Sequence, residues 1–456
     1  MAVIQIFRYI AEIIFMSIVV FCLMFLAIYA PKVSGRIDLL SLTFVALIFL
    51  SIITGSYNSL SRRAVLMVSV CCLYLVFLLL HTVILVYFNS WSDIYQPLRF
   101  SRSILNVLGI AALISFYFSI FKDRATDKII YHVWLCVITH GLIICAMFFF
   151  HSFNVLVVDY VVNMDSASDN YDARIKGNRI SGLTSSWDAT SAIQSLGVLL
   201  LPIIVKKTRG LKRFFIVLIA FFVTILSMAL SGLTGFLVVL LFGVFLTYYS
   251  SGFMGLFKLF VGGAVFLPIV LVGFLFAANN YSEKVSGSSI ARVIYMVAPN
   301  SDVNYSSSGR APTALETIEL IAKKMYFLPD DKFELLFGLG SSGRFPDDYY
   351  ISSDTGPTLN IHNLGLIYSA ILYAFVVNCM ISVFRGDKKD IKIPFFVFTI
   401  ISLVVFIDLK VQYLLSRNSL SFMMIALILY WQNLPMFRRT LNKSPKSSTM
   451  GSSPTP

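Results

Sequence analysis

About twelve long apolar stretches run along this chain, and two outsized polar segments interrupt them. A membrane-crossing helix needs about 20 consecutive apolar residues. Stretches of that kind fall roughly at 10–30, 38–55, 64–88, 103–121, 129–151, 184–205, 213–230, 232–250, 255–277, 362–384, 393–409 and 412–434. The pattern predicts an all-α integral membrane protein, with a polytopic transmembrane domain over 1–434. The two long polar segments, 152–183 and 278–361, are then loops outside the bilayer. The first apolar run is too long for a signal-peptide core, and no small-x-small cleavage site follows it, so it reads as an uncleaved span.

Composition agrees. Of 456 residues, 58% are hydrophobic and 13% charged, about half the charged fraction of a soluble domain. Lysine and arginine set the orientation. With the N-terminus inside, inner segments hold 20 basic residues and the short outer loops only six, Lys32, Arg36, Arg99, Arg102, Lys410 and Arg417. The positive-inside rule therefore places both termini in the cytoplasm and both long loops outside. The net charge of +13 belongs mostly to residues flanking spans, where it meets lipid headgroups rather than nucleic acid. All six cysteines fall in predicted spans, which argues against a structural disulfide. The histidines are scattered and no Cys-x-x-Cys occurs, so no metal site is expected. Residues 435–456, rich in Ser, Thr, Pro and Lys from Asn442 on, read as a disordered cytoplasmic tail.

The first outer loop ends Asn178-Arg179-Ile180-Ser181-Gly182-Leu183-Thr184 and leads directly into a span. Thr184, Ser185 and Ser186 can cap that helix. Arg179 would stand beside its N-terminus, where backbone donors and a guanidinium suit phosphate. A solvated loop with paired charges explains the same spacing. Asp188, one turn further in, reads as a capping residue, or else as a functional intramembrane carboxylate.

The second outer loop has its own pattern. Leu315, Ile318, Ala322 and Met325 recur at helical spacing after Gly309-Arg310, with Pro312 in the first turn. This predicts an amphipathic helix on the membrane surface, with Arg310 at its N-terminus. Leu335 to Gly340 is a short apolar run broken by glycines, a strand or a turn. Asp354-Thr355-Gly356 and Asn360-Ile361-His362-Asn363 follow, placing His362 in the first turn of the tenth span. At a wet membrane surface near arginines, His362 is a candidate general base, or else a polar residue satisfying orphan backbone groups. His81, His132, His140 and His151 lie in spans or at their ends and read as packing or interhelical hydrogen-bonding residues.

Four short motifs, taken in order, give the chain a resemblance. Arg179-Ile180-Ser181-Gly182 precedes a span, and Ser231-Gly232-Leu233-Thr234-Gly235 forms a tight outer turn. Gly309-Arg310 with Phe337-Gly338-Leu339-Gly340, then His362-Asn363 opening a span, complete the set. Over roughly 178–385 the chain resembles the superfamily of bacterial O-antigen polymerases and O-antigen ligases. The Ser231–Gly235 segment lacks the arginine such proteins often carry. Tyr373 stands where the ligase pattern expects glycine, which favours a polymerase.

The resemblance implies a glycosyltransferase C-like membrane fold with its active site at the periplasmic face of the inner membrane. It implies undecaprenyl-diphosphate-linked oligosaccharides as donor and acceptor, and a metal-independent hexosyltransferase without cofactor. Membrane lipids, a chain-length regulator and a flippase are the other expected partners. By the same resemblance Arg179 and Arg310 would bind the diphosphate and His362 would act as base. Arg292, Arg344 and Asp354 are further substrate-binding candidates from the charge of the loop. The alternatives are a ligase transferring finished glycan to lipid A core, and a lipid-linked oligosaccharide flippase. A flippase would carry charged residues deep in its spans, and these are scarce here.

Overall fold

A computed structural model describes residues 2–29, 39–88, 95–162, 180–184, 186–206, 208–232, 234–243, 325–341, 353, 355–385 and 392–434. Among them every regular element is helical. The long helices are α1 (Ala2–Tyr29), α2 (Leu39–Thr54), α3 (Arg62–Phe88), α4 (Tyr95–Phe121) and α5 (Ala125–Phe149). Then come α6 (His151–Leu156) and the short series α7 (Trp187–Gln194), α8 (Leu196–Leu199) and α9 (Leu201–Val205). After α10 (Gly210–Ser231) and α11 (Thr234–Gly243) follow α12 (Lys332–Phe337), α13 (Gly356–Arg385), α14 (Lys392–Asp408) and α15 (Arg417–Asn433).

Among the described residues, five helical stretches are long and apolar enough to cross a membrane: Arg62–Phe88, Tyr95–Phe149, Trp187–Val205, Gly210–Ser231 and Gly356–Val383. The second of these holds two helices, because a 3₁₀ turn at Lys122–Arg124, with Lys122 at φ 47°, folds α5 back on α4. The chain is thus a membrane-embedded helical protein. Its centre is α4 with α15, which is buried continuously from Ser419 to Tyr430. A helix apolar on all sides belongs in such a core. On α3 and α10, by contrast, Leu66, Leu73, Leu80, Phe214 and Phe222 are exposed, as lipid-facing side chains must be.

Between helices, apolar packing is supplemented by polar contacts, which lipid cannot replace. Ser51 and Ser56 both reach Ser115, at 3.0 and 3.1 Å. Tyr117 Oη lies 2.8 Å from His132 Nδ1, and the Trp134 indole donates to Gly197 O at 2.9 Å. Contacts between helix ends sort into two sets. At one end Ser61 meets Gln432, Thr126 meets Asn433, and Asp127 pairs with Lys392. At the other, Gln96 meets Asn363, Arg99 meets Gln412, and Asp188 pairs with Lys410. These are the two sides that the lysine and arginine count separates.

Several expectations change. The first outer loop begins later than 152, because α6 and a π-helical turn at Val157–Val162 continue the chain after α5. The sixth apolar stretch is three short helices rather than one, and Pro202 stands at the start of the last. The last stretch becomes helical only at Arg417, since residues 409–416 form a turn. α13 begins at Gly356, with Pro357 in its first turn, six residues before the apolar run. The amphipathic helix after Arg310 and the tail 435–456 lie outside the described residues.

Candidate functional site

The site is built around an interruption. α13 breaks at Gly365, whose φ is 79° and ψ 167°. A Cβ there would stand 2.3 Å from Leu336 O, and one on Gly338 (φ 77°) 2.4 Å from Asn363 O. Only glycine permits both the left-handed backbone and this approach. The turn Gly338–Gly340 then serves the broken helix. Leu339 N–H donates to His362 O at 2.8 Å, and Gly340 N–H to Asn363 O at 2.9 Å. Two motifs separated by more than twenty residues are thereby joined backbone to backbone.

His362 is 3% exposed. Its Nδ1 lies 2.7 Å from Glu334 Oε1, so Nδ1–H donates to the carboxylate and Nε2 keeps its lone pair. Nε2 is buried and makes no hydrogen bond among the described residues. The Phe327 ring packs edge-on against the imidazole at 5.2 Å. Because α13 starts early, His362 is in its second turn, not the first, and a carboxylate rather than a helix terminus governs the ring.

Glu334 went unread in the sequence. Asp331 caps α12, accepting Glu334 N–H at 2.9 Å. Asp-x-x-Glu at that spacing is a capping box, which would account for Glu334 without any site. Instead its Oε1 turns to His362. His81, read as a packing residue, also reaches this place. Its Nε2–H donates to Phe337 O at 2.7 Å, and its ring lies 4.3 Å from that of Tyr368. Below them an apolar groove of about 480 Å³ runs between α3, α13 and α15, past Tyr74, Ile371 and Met424.

The turn after α14 ties this region to the rest. Asp408 accepts the N–H groups of Tyr413 and Leu414, both at 2.7 Å, and the Tyr373 hydroxyl at 2.6 Å. Asn360 donates to Tyr373 Oη at 3.0 Å and accepts from Gln412 at 3.0 Å. The Tyr326 hydroxyl donates to Leu409 O. Burial, with the Asp408 carboxylate nearby, pushes the Tyr326 phenol up. Hydroxyls of Ser353, Thr355 and Thr358 converge on Met325 O.

The other two motifs also meet. Ile180 N–H donates to Leu230 O at 3.1 Å, and Leu183 N–H to His140 Nε2 at 3.0 Å. Ser191 Oγ donates to Gly232 O at 2.6 Å. Ser186, not Asp188, caps α7. Asp188 faces outward from the first turn instead, accepting from Thr234 at 2.6 Å and pairing with Lys410 at 2.9 Å. The segment 408–417 therefore reaches Thr234 in one motif pair and Asn360, two residues before His362, beside the other. His362 is the one predicted site residue among the described residues. Arg179, Arg292, Arg310, Arg344 and Asp354 lie outside them.

Chemically, the Glu334–His362 pair can take a proton at Nε2 and spread the resulting charge onto a carboxylate. A comparison with known protein families, curated proteins and solved structures finds no match to this chain.

Proposed function

We propose that this protein is a membrane glycosyltransferase that polymerises a surface polysaccharide at the periplasmic face of a bacterial inner membrane. On this reading it has about twelve spans in a glycosyltransferase C-like arrangement, with both termini cytoplasmic. The observation that carries the reading is the Glu334–His362 pair. An oriented imidazole with an unused, buried Nε2 sits where the Gly338–Gly340 turn is bonded to the His362–Asn363 segment.

The reaction transfers a growing glycan from its undecaprenyl diphosphate onto a hydroxyl of the next lipid-linked repeat unit. His362 Nε2 takes the proton of that hydroxyl. Its oxygen attacks the anomeric carbon of the donor from the side opposite the diphosphate. The C–O bond to the diphosphate breaks, its electron pair leaves with the phosphate, and the anomeric configuration inverts. Glu334 steadies the imidazolium. Arg179 and Arg310 are the proposed clamps for the leaving diphosphate, with Arg292, Arg344 and Asp354 as further contacts. No step calls for a metal. The Tyr373 hydroxyl, held between Asp408 and Asn360, is a fixed part of this chain's site where a ligase would have glycine.

A gel of surface polysaccharide from a strain lacking the gene tests the reading. Single repeat units on lipid core, without a ladder, support a polymerase. A bare core with long chains left on undecaprenyl diphosphate would indicate a ligase. An unchanged ladder would overturn the reading. So would full complementation by His362→Ala at normal expression.

A further inference from the structure

We propose that the Asp188–Lys410 pair binds hydroxyl groups of the acceptor sugar, on the rim of the same site. The inference rests on the glycosyltransferase reading. Lys410 Nζ stands 2.9 Å from Asp188 Oδ1, with the two side chains 54% and 33% exposed. Thr234 Oγ1 donates to the same carboxylate oxygen at 2.6 Å, and Lys410 Nζ lies 3.5 Å from Thr234 Oγ1. Three chain segments, the starts of α7 and α11 and the 409–416 turn, thus converge on one polar spot. As a fastening this is weak, since an exposed ion pair adds little to stability.

The chemistry of the pair selects a ligand. The ammonium offers donors, the carboxylate offers acceptors, and the two sum to zero charge. A vicinal diol matches both at once: one hydroxyl accepts from Nζ while its neighbour donates to the carboxylate. A diphosphate would meet the Asp188 charge and is disfavoured there. The Tyr326 ring, 41% exposed and tied through its hydroxyl to Leu409 next to Lys410, offers aromatic surface that suits the C–H face of a sugar ring. The adjoining Phe327 packs on His362. Residues 409, 326 and 327 thus link the pair to the imidazole.

The test uses the full-length protein purified in detergent. The probe is the repeat-unit oligosaccharide released by mild acid from the producing strain's own surface glycan, with binding read by saturation-transfer NMR. Asp188→Asn and Lys410→Met should each weaken binding about tenfold or more, as loss of a hydrogen bond to a charged group predicts. Asp127→Asn, at the opposite end of the bundle, should leave binding intact. In turnover assays both variants should raise KM for the lipid-linked acceptor with kcat little changed. The double exchange of Asp188→Lys with Lys410→Asp keeps an ion pair. It should leave the thermal midpoint close to that of wild type and not restore the binding. The inference is overturned if the single variants bind like wild type, if the exchange restores binding along with stability, or if wild type binds no oligosaccharide. Any of these, in a strain whose ladder still depends on the gene, removes the sugar subsite and leaves the polymerase reading standing. A ladder independent of the gene removes both.

Discussion

Replacing Glu334 with Gln tests the dyad at its most informative point. The change is nearly isosteric, and the amide oxygen can still accept Nδ1–H at the 2.7 Å seen for the carboxylate. What it removes is the negative charge beside a ring that must become positive during proton transfer. A hydrogen bond to a charged group is worth about 1.5–3 kcal/mol and a neutral one about 0.5–1.5. The difference of about 1–2 kcal/mol, expressed only in the transition state, corresponds to a fall in kcat of roughly 5- to 30-fold. His362→Ala removes the base altogether and should cost about 10²–10⁴-fold. Since Glu334 acts through His362, the double variant should be no slower than His362→Ala alone. The assay is chain extension by purified full-length protein on lipid-linked repeat units. Thermal unfolding of each variant, followed by intrinsic fluorescence, checks that the fold survives. Losses that simply multiply in the double variant would refute the coupling. So would a Glu334→Gln enzyme as fast as wild type.

Three further outcomes follow from the geometry. Gly365→Ala places a Cβ 2.3 Å from Leu336 O at a φ of 79°; it should destabilise by about 1–3 kcal/mol and lower the thermal midpoint. Asp408→Ala leaves the Tyr413 and Leu414 N–H groups and the Tyr373 hydroxyl without their acceptor. At about 1–3 kcal/mol for each group stranded in the interior, it should loosen the 409–416 turn, seen as faster amide hydrogen exchange there. Asp127→Asn breaks the half-exposed pair with Lys392 at the opposite end of the bundle. It should move the thermal midpoint by no more than the equivalent of about 1 kcal/mol and leave chain extension unchanged.

The membrane character was legible because it needs only run length and the scarcity of charge. The grouping of helix ends into two sets was legible too: Lys392 meets Asp127 within one set, and Arg99 meets Gln412 within the other. His362 was legible as a polar residue opening an apolar run, though the run hid where α13 starts. Pro357 and the polar residues around it belong to the helix, and hydropathy alone assigns them to the loop. Glu334 was not legible, because its spacing from Asp331 already had a sufficient explanation as a cap. Asp408 and Lys410 were hidden for a different reason. One ends an apolar stretch and the other looks like an ordinary loop charge, and their side-chain partners Tyr373 and Asp188 are distant in the chain. Only tertiary structure supplies such pairs.

The break at Gly365 explains why the dyad can be built at this depth. A helix interrupted near a bilayer exposes backbone groups that lipid cannot satisfy, so such breaks persist only where protein covers them. Here His362 O and Asn363 O are taken by Leu339 and Gly340 N–H, from the turn that follows α12. The same α12 carries Glu334. The segment that satisfies the freed carbonyls is therefore the segment that orients the imidazole, and neither contact can shift without the other. Glycine at 338 and at 365 lets the two backbones approach closely enough for this to happen. His81 holds the far side of the turn through Phe337 O. A base fixed in this way by backbone and carboxylate together keeps its ring orientation, and electrostatic preorganisation asks for such rigidity.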